Sequence, residues 1–209
     1  MVKRIYVQYC MLALLAIAFH TLFVSDSEVS ASVRDQTIVI DAGHGGSDFG
    51  AVANGLYEKE LVYDVAHRTR GLLESSGANV VMTRTGDYFV ALEERSRIAN
   101  ANNADSFVSI HANAAAQISA NGTETYHFPT SAAGRSLATS LQQNMVATFN
   151  SRDRGVKAAN FSVLRNTEMQ AALVELGFVT NQAEAEVMKT NAFRNQAASA
   201  IFNGLNENH

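Results

Sequence analysis

The sequence predicts an α/β fold: a single domain with a largely parallel central β-sheet and helices on both faces. Three observations lead there. Short β-branched runs such as Thr37-Ile38-Val39-Ile40-Asp41 are continuously apolar, as strands buried on both faces are. Longer stretches between them repeat apolar residues at helical spacing. The two kinds alternate strand, helix, strand, helix, strand, the order in which crossover helices join parallel strands.

The elements follow in turn. After the strand at 37–41 comes a glycine-rich loop from Gly43 to Gly55. Glu58 to Ser76 is predicted helical, with Val62, Val65, Ala66, Thr69, Leu72 and Leu73 on one side and Gly77 as its stop. Asn79 to Thr83 is the next strand, a second helix runs from Ala91 to Asn103, and Ser106 to Ile110 returns as a strand. Thr123 to Phe128 alternates like a strand, and Leu137, Leu141, Met145 and Thr148 mark one face of another helix. Ala172 to Leu176 is a further buried strand, and Phe193, Ala197, Ile201 and Leu205 define a closing helix. There is no repeat, and the single proline, Pro129, rules out a proline-rich tether to a second module.

Composition narrows the function. At 209 residues and 47% hydrophobic content the chain supports one sizeable core. A net charge of −4 without a basic block gives no electrostatic grip on nucleic acid or an anionic membrane surface. The only cysteine, Cys10, lies near the amino terminus, so the rest of the chain has neither disulfides nor thiolate ligands. Any metal must be held by histidine and carboxylate.

The amino terminus reads as an export signal. Lys3 and Arg4 precede the 14-residue apolar run Met11 to Val24, broken only by His20 and Thr21 and short for a membrane span. Val29 and Ala31 satisfy the small-residue rule for cleavage after Ala31. Residues 1–31 are therefore expected to be a signal peptide, with an uncleaved anchor as the alternative. The domain at 32–209 is expected to carry no membrane span, to act outside the cytoplasm and to be a monomer.

Two histidine segments carry the chemistry. Asp41-Ala42-Gly43-His44-Gly45-Gly46 and Ser109-Ile110-His111-Ala112-Asn113 each extend an apolar run, and Glu58 stands between them in sequence. If those runs are neighbouring strands, both imidazoles emerge at one sheet edge, where α/β proteins place their chemistry. His44, Glu58 and His111 then form a zinc site, one ion with a fourth position open to water, as in hydrolases. Glu175, in Val174-Glu175-Leu176-Gly177-Phe178, is an acid among apolar and small neighbours. Desolvation there raises a carboxyl pKa toward the range useful for a general base and acid.

Each residue also has an ordinary reading. His44 could be a solvated turn residue and His111 a hydrogen-bonded core histidine. Glu58 could cap and solvate a helix start together with Lys59 and Glu60. Glu175 could pair with Arg84 or Arg165. His20, His67 and His209 read as incidental, and His127 reads as surface.

Taken together, the landmarks resemble the zinc-dependent N-acetylmuramoyl-L-alanine amidases of the Amidase_3 family. They run from Asp41–Gly46 through Gly55–Leu61, Thr83-Arg84 with Asp87, Leu92–Arg95 with Ala99-Asn100, and Phe107–Asn113. They continue through Gly155-Val156-Lys157, Val163-Leu164-Arg165, and Leu173–Phe178 with Asn181. The resemblance implies zinc at His44, Glu58 and His111, an essential acid at Glu175, and Asn113 or nearby backbone helping to bind substrate. The substrate would be peptidoglycan, cut at the amide between the lactyl group of N-acetylmuramic acid and the L-alanine of the stem peptide.

Two positions depart from the family pattern. Ala42 and Gln170 stand where it usually has proline, which puts loop rigidity in question while leaving the ligands in place. The short stretch from Asn113 to Gly122 leaves no room for an inserted autoinhibitory helix, so an open site is expected. Two competing readings are a wall-binding pseudoenzyme and a zinc peptidase cutting within the stem peptide. All four site residues are present, against the first, and His-Glu-x-x-His is absent, against the thermolysin-type form of the second.

Overall fold

The computed structural model describes residues 32–209. The predicted signal segment at 1–31 lies outside the described residues. Strands are β1 (Thr37–Ala42), β2 (Val52–Ala53), β3 (Leu56–Tyr57), β4 (Asn79–Met82), β5 (Ser106–Asn113), β6 (Thr123–His127), β7 (Asp153–Ala158) and β8 (Gln170–Phe178). Helices are α1 (Glu58–Ser75), α2 (Leu92–Ala101), α3 (Ala132–Phe149), α4 (Ser162–Arg165), α5 (Gln182–Met188) and α6 (Asn191–Asn208).

The main sheet has the order β4-β1-β5-β8-β6-β7. β4, β1, β5 and β8 are mutually parallel, β6 is antiparallel to β8, and β7 runs parallel to β6. The sheet is thus the largely parallel one expected, with a reversed pair at one edge. That reversal brings the beginnings of β6 and β7 alongside the ends of β1, β5 and β8.

Alternation along the strands sorts side chains between two faces. Ile38, Ile40, Ala42, Val108, Ile110, Ala172, Val174 and Leu176 join a large core with Leu61, Val65, Leu137, Leu141, Ala197 and Ile201 from α1, α3 and α6. Val39, Phe107, Ala171 and Leu173 point the other way, into a smaller core closed by Ala99 of α2 and by Val163 and Leu164 of α4. Helices therefore cover both faces, unequally.

Local chemistry fixes the ends of these elements. The side chains of Ser131, Asn181 and Thr190 accept hydrogen bonds from the backbone N–H of Gly134, Glu184 and Phe193, capping α3, α5 and α6. Asn150 ends α3 in the left-handed region at φ 49°. Gly204 permits α6 to lie against α3, since a Cβ there would stand 2.8 Å from Leu141 Cα.

Several expectations need amendment. The loop from Gly43 to Gly55 contains one strand of a short ribbon, β2, which pairs with β3 just beyond the loop. The helix expected at 91–103 is shorter, and β5 continues past Ile110 to Asn113. β7 and the short helices α4 and α5 were not anticipated as elements. His127, read as a surface residue, is buried, and its Nδ1 pairs with the Phe128 carbonyl at 2.8 Å. It lies on the β6 face opposite Glu124 and Tyr126.

Candidate metal centre and catalytic cleft

β1 and β5 are adjacent parallel strands, so the segments that follow Ile40 and Ile110 leave the sheet side by side. His44 sits just past the end of β1 and His111 within the last residues of β5. Glu58 opens α1, and its carboxylate enters between the two imidazoles. Glu58 Oε1 is 3.0 Å from His44 Nε2 and 3.0 Å from His111 Nδ1. One donor atom from each of the three residues lies within 4.8 Å of the others.

These residues fit a divalent metal such as zinc. Nitrogen and oxygen ligands about 2.0–2.2 Å from a tetrahedral zinc ion stand roughly 3.3 Å apart, close to the two Glu58–imidazole spacings of 3.0 Å. The remaining atoms of two of the donors are held from behind. His44 Nδ1 meets Asp48 Oδ2 at 2.8 Å, and Glu58 Oε2 accepts from the Ala51 N–H at 2.8 Å. Such outer partners fix the tautomer and orientation of metal ligands. Burial pushes the Glu58 carboxyl pKa up, but the hydrogen bonds to His111 and His44 outweigh it and hold the group well below the usual carboxylate range.

The loop carrying His44 is strained and clamped. His44 adopts φ 60°, a left-handed conformation uncommon for a residue with a side chain. Gly43 lies against the His111 ring so closely that a Cβ would meet Cε1 at 2.3 Å. Arg84, fully buried, donates to the carbonyls of Ala42, Gly43 and Lys59. Arg95 donates to the Ala42 carbonyl at 2.7 Å, to the His44 carbonyl at 2.8 Å and to Asp41 Oδ1 at 2.7 Å. Thr83 and Ser109 complete the Asp41 carboxylate. Rigidity thus comes from two buried guanidinium groups, whose planar forks suit several carbonyls at once. Gln170, the other departure from proline, instead ties Ser106 Oγ to the Asn208 amide.

Glu175 is paired in register with His111 on β5 and with Glu124 on β6. Its Oε2 is buried without a hydrogen-bond partner among the described residues. Neither arginine of the ordinary reading engages it: Arg84 is committed to backbone carbonyls and Arg165 bonds Asn160. Burial, with Glu58 and Glu124 nearby adding repulsion, raises the Glu175 pKa well above the ordinary carboxylate value. Glu175 lines a cleft of about 510 Å³ together with His44, His111, Phe89, Leu92 and Phe161.

Sequence reasoning missed the second carboxylate. Glu124 is buried, and its Oε1 accepts from Asn113 Nδ2 and Tyr126 OH, both at 2.7 Å. Its Oε2 accepts from Arg154 Nε at 2.7 Å and from Lys157 Nζ. Burial opposes ionisation, yet the Lys157, Arg154 and Tyr126 contacts prevail and lower its pKa to about 2. Asn113, expected near substrate, therefore has its amide N–H engaged with Glu124. Lys59 departs from the solvated helix start considered above: it is buried and reaches the Gly46 carbonyl and Asp87. Lys157 did fall in a recognised landmark, but nothing local in the sequence joined it to Glu124.

Comparison with known proteins adds independent findings. The family model described as N-acetylmuramoyl-L-alanine amidase matches residues 38–207. The chain is 43% identical over 182 residues to the uncharacterised protein YqiI of Bacillus subtilis (strain 168), covering 86% of this chain and 87% of that one. It is also 43% identical over 180 residues to the N-acetylmuramoyl-L-alanine amidase LytC of the same strain, where the match covers 85% of this chain and 36% of LytC. Among solved structures, the catalytic domain of the N-acetylmuramoyl-L-alanine amidase CwlV from Bacillus (Paenibacillus) polymyxa var. colistinus superposes with a TM-score of 0.78 at 35% identity. That match covers 81% of this chain and 95% of the domain.

Proposed function

The chain belongs to the Amidase_3 family of N-acetylmuramoyl-L-alanine amidases, and from that premise we propose that it is a zinc-dependent peptidoglycan hydrolase with its metal held by His44, Glu58 and His111. The observation that carries this reading is the meeting of Glu58 Oε1 with both imidazoles beside a Glu175 oxygen that no group among the described residues engages. The bond cut is the amide between the lactyl carbonyl of N-acetylmuramic acid and the L-alanine of the stem peptide.

When bound, zinc supplies Lewis acidity, polarising a carbonyl and lowering the pKa of water from about 15.7 toward about 7. Glu175 takes the proton from the attacking water and returns it to the departing nitrogen, so that the C–N bond breaks and a carboxyl and a free α-amine result. Its desolvated setting suits both steps. Asp48 orients His44 through Nδ1, and Arg84 and Arg95 hold the His44 loop by its carbonyls. Asn113 serves substrate binding by fixing the Glu124 carboxylate in the strand beside Glu175. Residues 32–209 form the catalytic domain, working as a monomer outside the cytoplasm at the cell wall after residues 1–31 direct export. No helix among the described residues is long and apolar enough to cross a membrane.

The test is digestion of purified peptidoglycan by residues 32–209 with and without chelator, followed by zinc add-back and mass identification of products. Stem peptides beginning with free L-alanine, lost with chelator and restored by zinc, are expected. Binding without release would identify a wall-binding protein, and cuts within the stem would identify a peptidase.

A further inference from the structure

Resting on the amidase reading, we propose that Lys157, backed by Arg154, receives a carboxylate of the stem peptide close to the scissile amide. Across the sheet, the site side chains follow the strand order: His44 after β1, His111 on β5, Glu175 on β8, Glu124 on β6, and Arg154 with Lys157 on β7. Strands lie about 4.8 Å apart, so the β7 backbone stands roughly 10 Å to one side of Glu175. Its two cations reach back over β6 to Glu124.

Two cations converge on this one buried carboxylate. Arg154 alone can balance it, so Lys157 leaves a surplus positive charge beside the cleft, beyond Tyr126 and Phe161. Lys157 is 39% exposed, and its Nζ bonds only Glu124 among the described residues, which leaves donors for a further acceptor. The surface between it and the cleft is continuous: Lys157 Nζ lies 5.8 Å from the Tyr126 ring centroid, and that ring packs edge-on against Phe161, which lines the cleft. At the opposite end the lining is apolar, with Phe89, Val90 and Leu92. The cleft therefore has an apolar arm at one end and, beyond Phe161 and Tyr126 at the other, a cationic flank. A peptide spans about 3.3–3.6 Å per residue, so a carboxylate on the second stem residue lies about 7 Å beyond the cut amide, within reach of a lysine on β7.

The test compares two soluble muramoyl peptides that differ only in a free α-carboxylate or a carboxamide on the second residue. Rates are measured with the wild-type domain, and binding with the Glu175→Gln chain to keep the ligand uncut. The carboxylate form should be preferred about tenfold in kcat/KM and in Kd, as befits one charged hydrogen bond. Lys157→Gln should bring both ratios close to one, and Lys157→Arg should keep them. Hydrolysis of both peptides without discrimination, or discrimination that survives Lys157→Gln, overturns the assignment and leaves the amidase reading standing. Tight, selective binding of the carboxylate form without hydrolysis would do the reverse.

Discussion

The two faces of the central sheet are built from the same strands and differ in nearly every other respect. One carries Ile38, Ile40, Val108, Ile110, Val174 and Leu176 and is sealed by the 18-residue helices α1, α3 and α6. The other carries Asp41, Ser109, His111, Glu175 and Glu124 at its upper end and is covered lower down by the 10-residue α2 and the four-residue α4. Neighbouring residues in one strand, such as Ile110 and His111, thus serve opposite ends. One face supplies hydrophobic stability, while the other keeps polar groups buried at some cost, which stability on the first face offsets. The comparison teaches that the site is affordable because β1, β5 and β8 each set an aliphatic residue of the sealed face next to the charged one they contribute: Ile40 beside Asp41, Ile110 beside His111 and Val174 beside Glu175.

Exchanging one residue on each face should separate the two roles most strongly. Glu175→Gln is expected to lower peptidoglycan cleavage by about 10²–10⁴-fold. Its melting temperature at neutral pH should equal or exceed that of the parent. A carboxyl whose folded pKa is raised loses stability as pH rises above its unfolded value, and the amide escapes that loss. Ile110→Ala should do the opposite, losing about 2–5 kcal/mol in denaturant unfolding while keeping kcat per folded molecule near the parent value. A large fall in melting temperature for Glu175→Gln would break the division.

Arg95→Met sharpens it further, because this residue belongs to the open face yet acts on structure. Removing it leaves Asp41 buried with Thr83 and Ser109 only and should cost about 3–5 kcal/mol. The His44 loop should loosen as well, read as weaker zinc retention in a chelator competition.

The smallest effect concerns pH. Glu124 has its folded pKa lowered from 4.5 to about 2, so its contribution to stability is complete above the unfolded value and is lost as pH falls through that interval. Melting temperatures measured from pH 6 to pH 2 should therefore fall more steeply for the parent than for Glu124→Gln. Parallel curves would show that Arg154 and Lys157 stabilise the ionised form no better than water does.

Much of this was legible in the sequence for a simple reason. The helices of the sealed face declare themselves by period, and β1, β5 and β8 by unbroken apolar runs. His44, His111 and Glu175 were singled out from where those runs end, and Glu58 from the helix start between the two histidine segments. What escaped was set by pairing between distant segments. Nothing local in Thr123–His127 tells that the strand runs backward beside β8, which is what puts Glu124 opposite Glu175. The clamping roles of Arg84 and Arg95 escaped because most of their partners, backbone carbonyls and the Asp41 carboxylate, lie 25 to 54 positions away. Asp153–Ala158 holds Arg154, Gly155 and Lys157, a composition that reads as a turn until a neighbouring strand supplies its hydrogen bonds. His127 is polar by type but faces α3, and only the direction of its strand says so.

The position of β8 also bears on the order in which the molecule can be assembled. It is the last strand in the sequence, yet it lies in the middle of the sheet, between β5 and β6. During synthesis the earlier strands can pair as β4-β1-β5 and as β6-β7, but the two parts share no edge until Gln170–Phe178 enters between them. Long-range pairing of this kind is slow to form. Glu175 rides on that strand, so the acid–base group proposed above arrives with the final join, and on that proposal a partly made chain has no means of cutting anything.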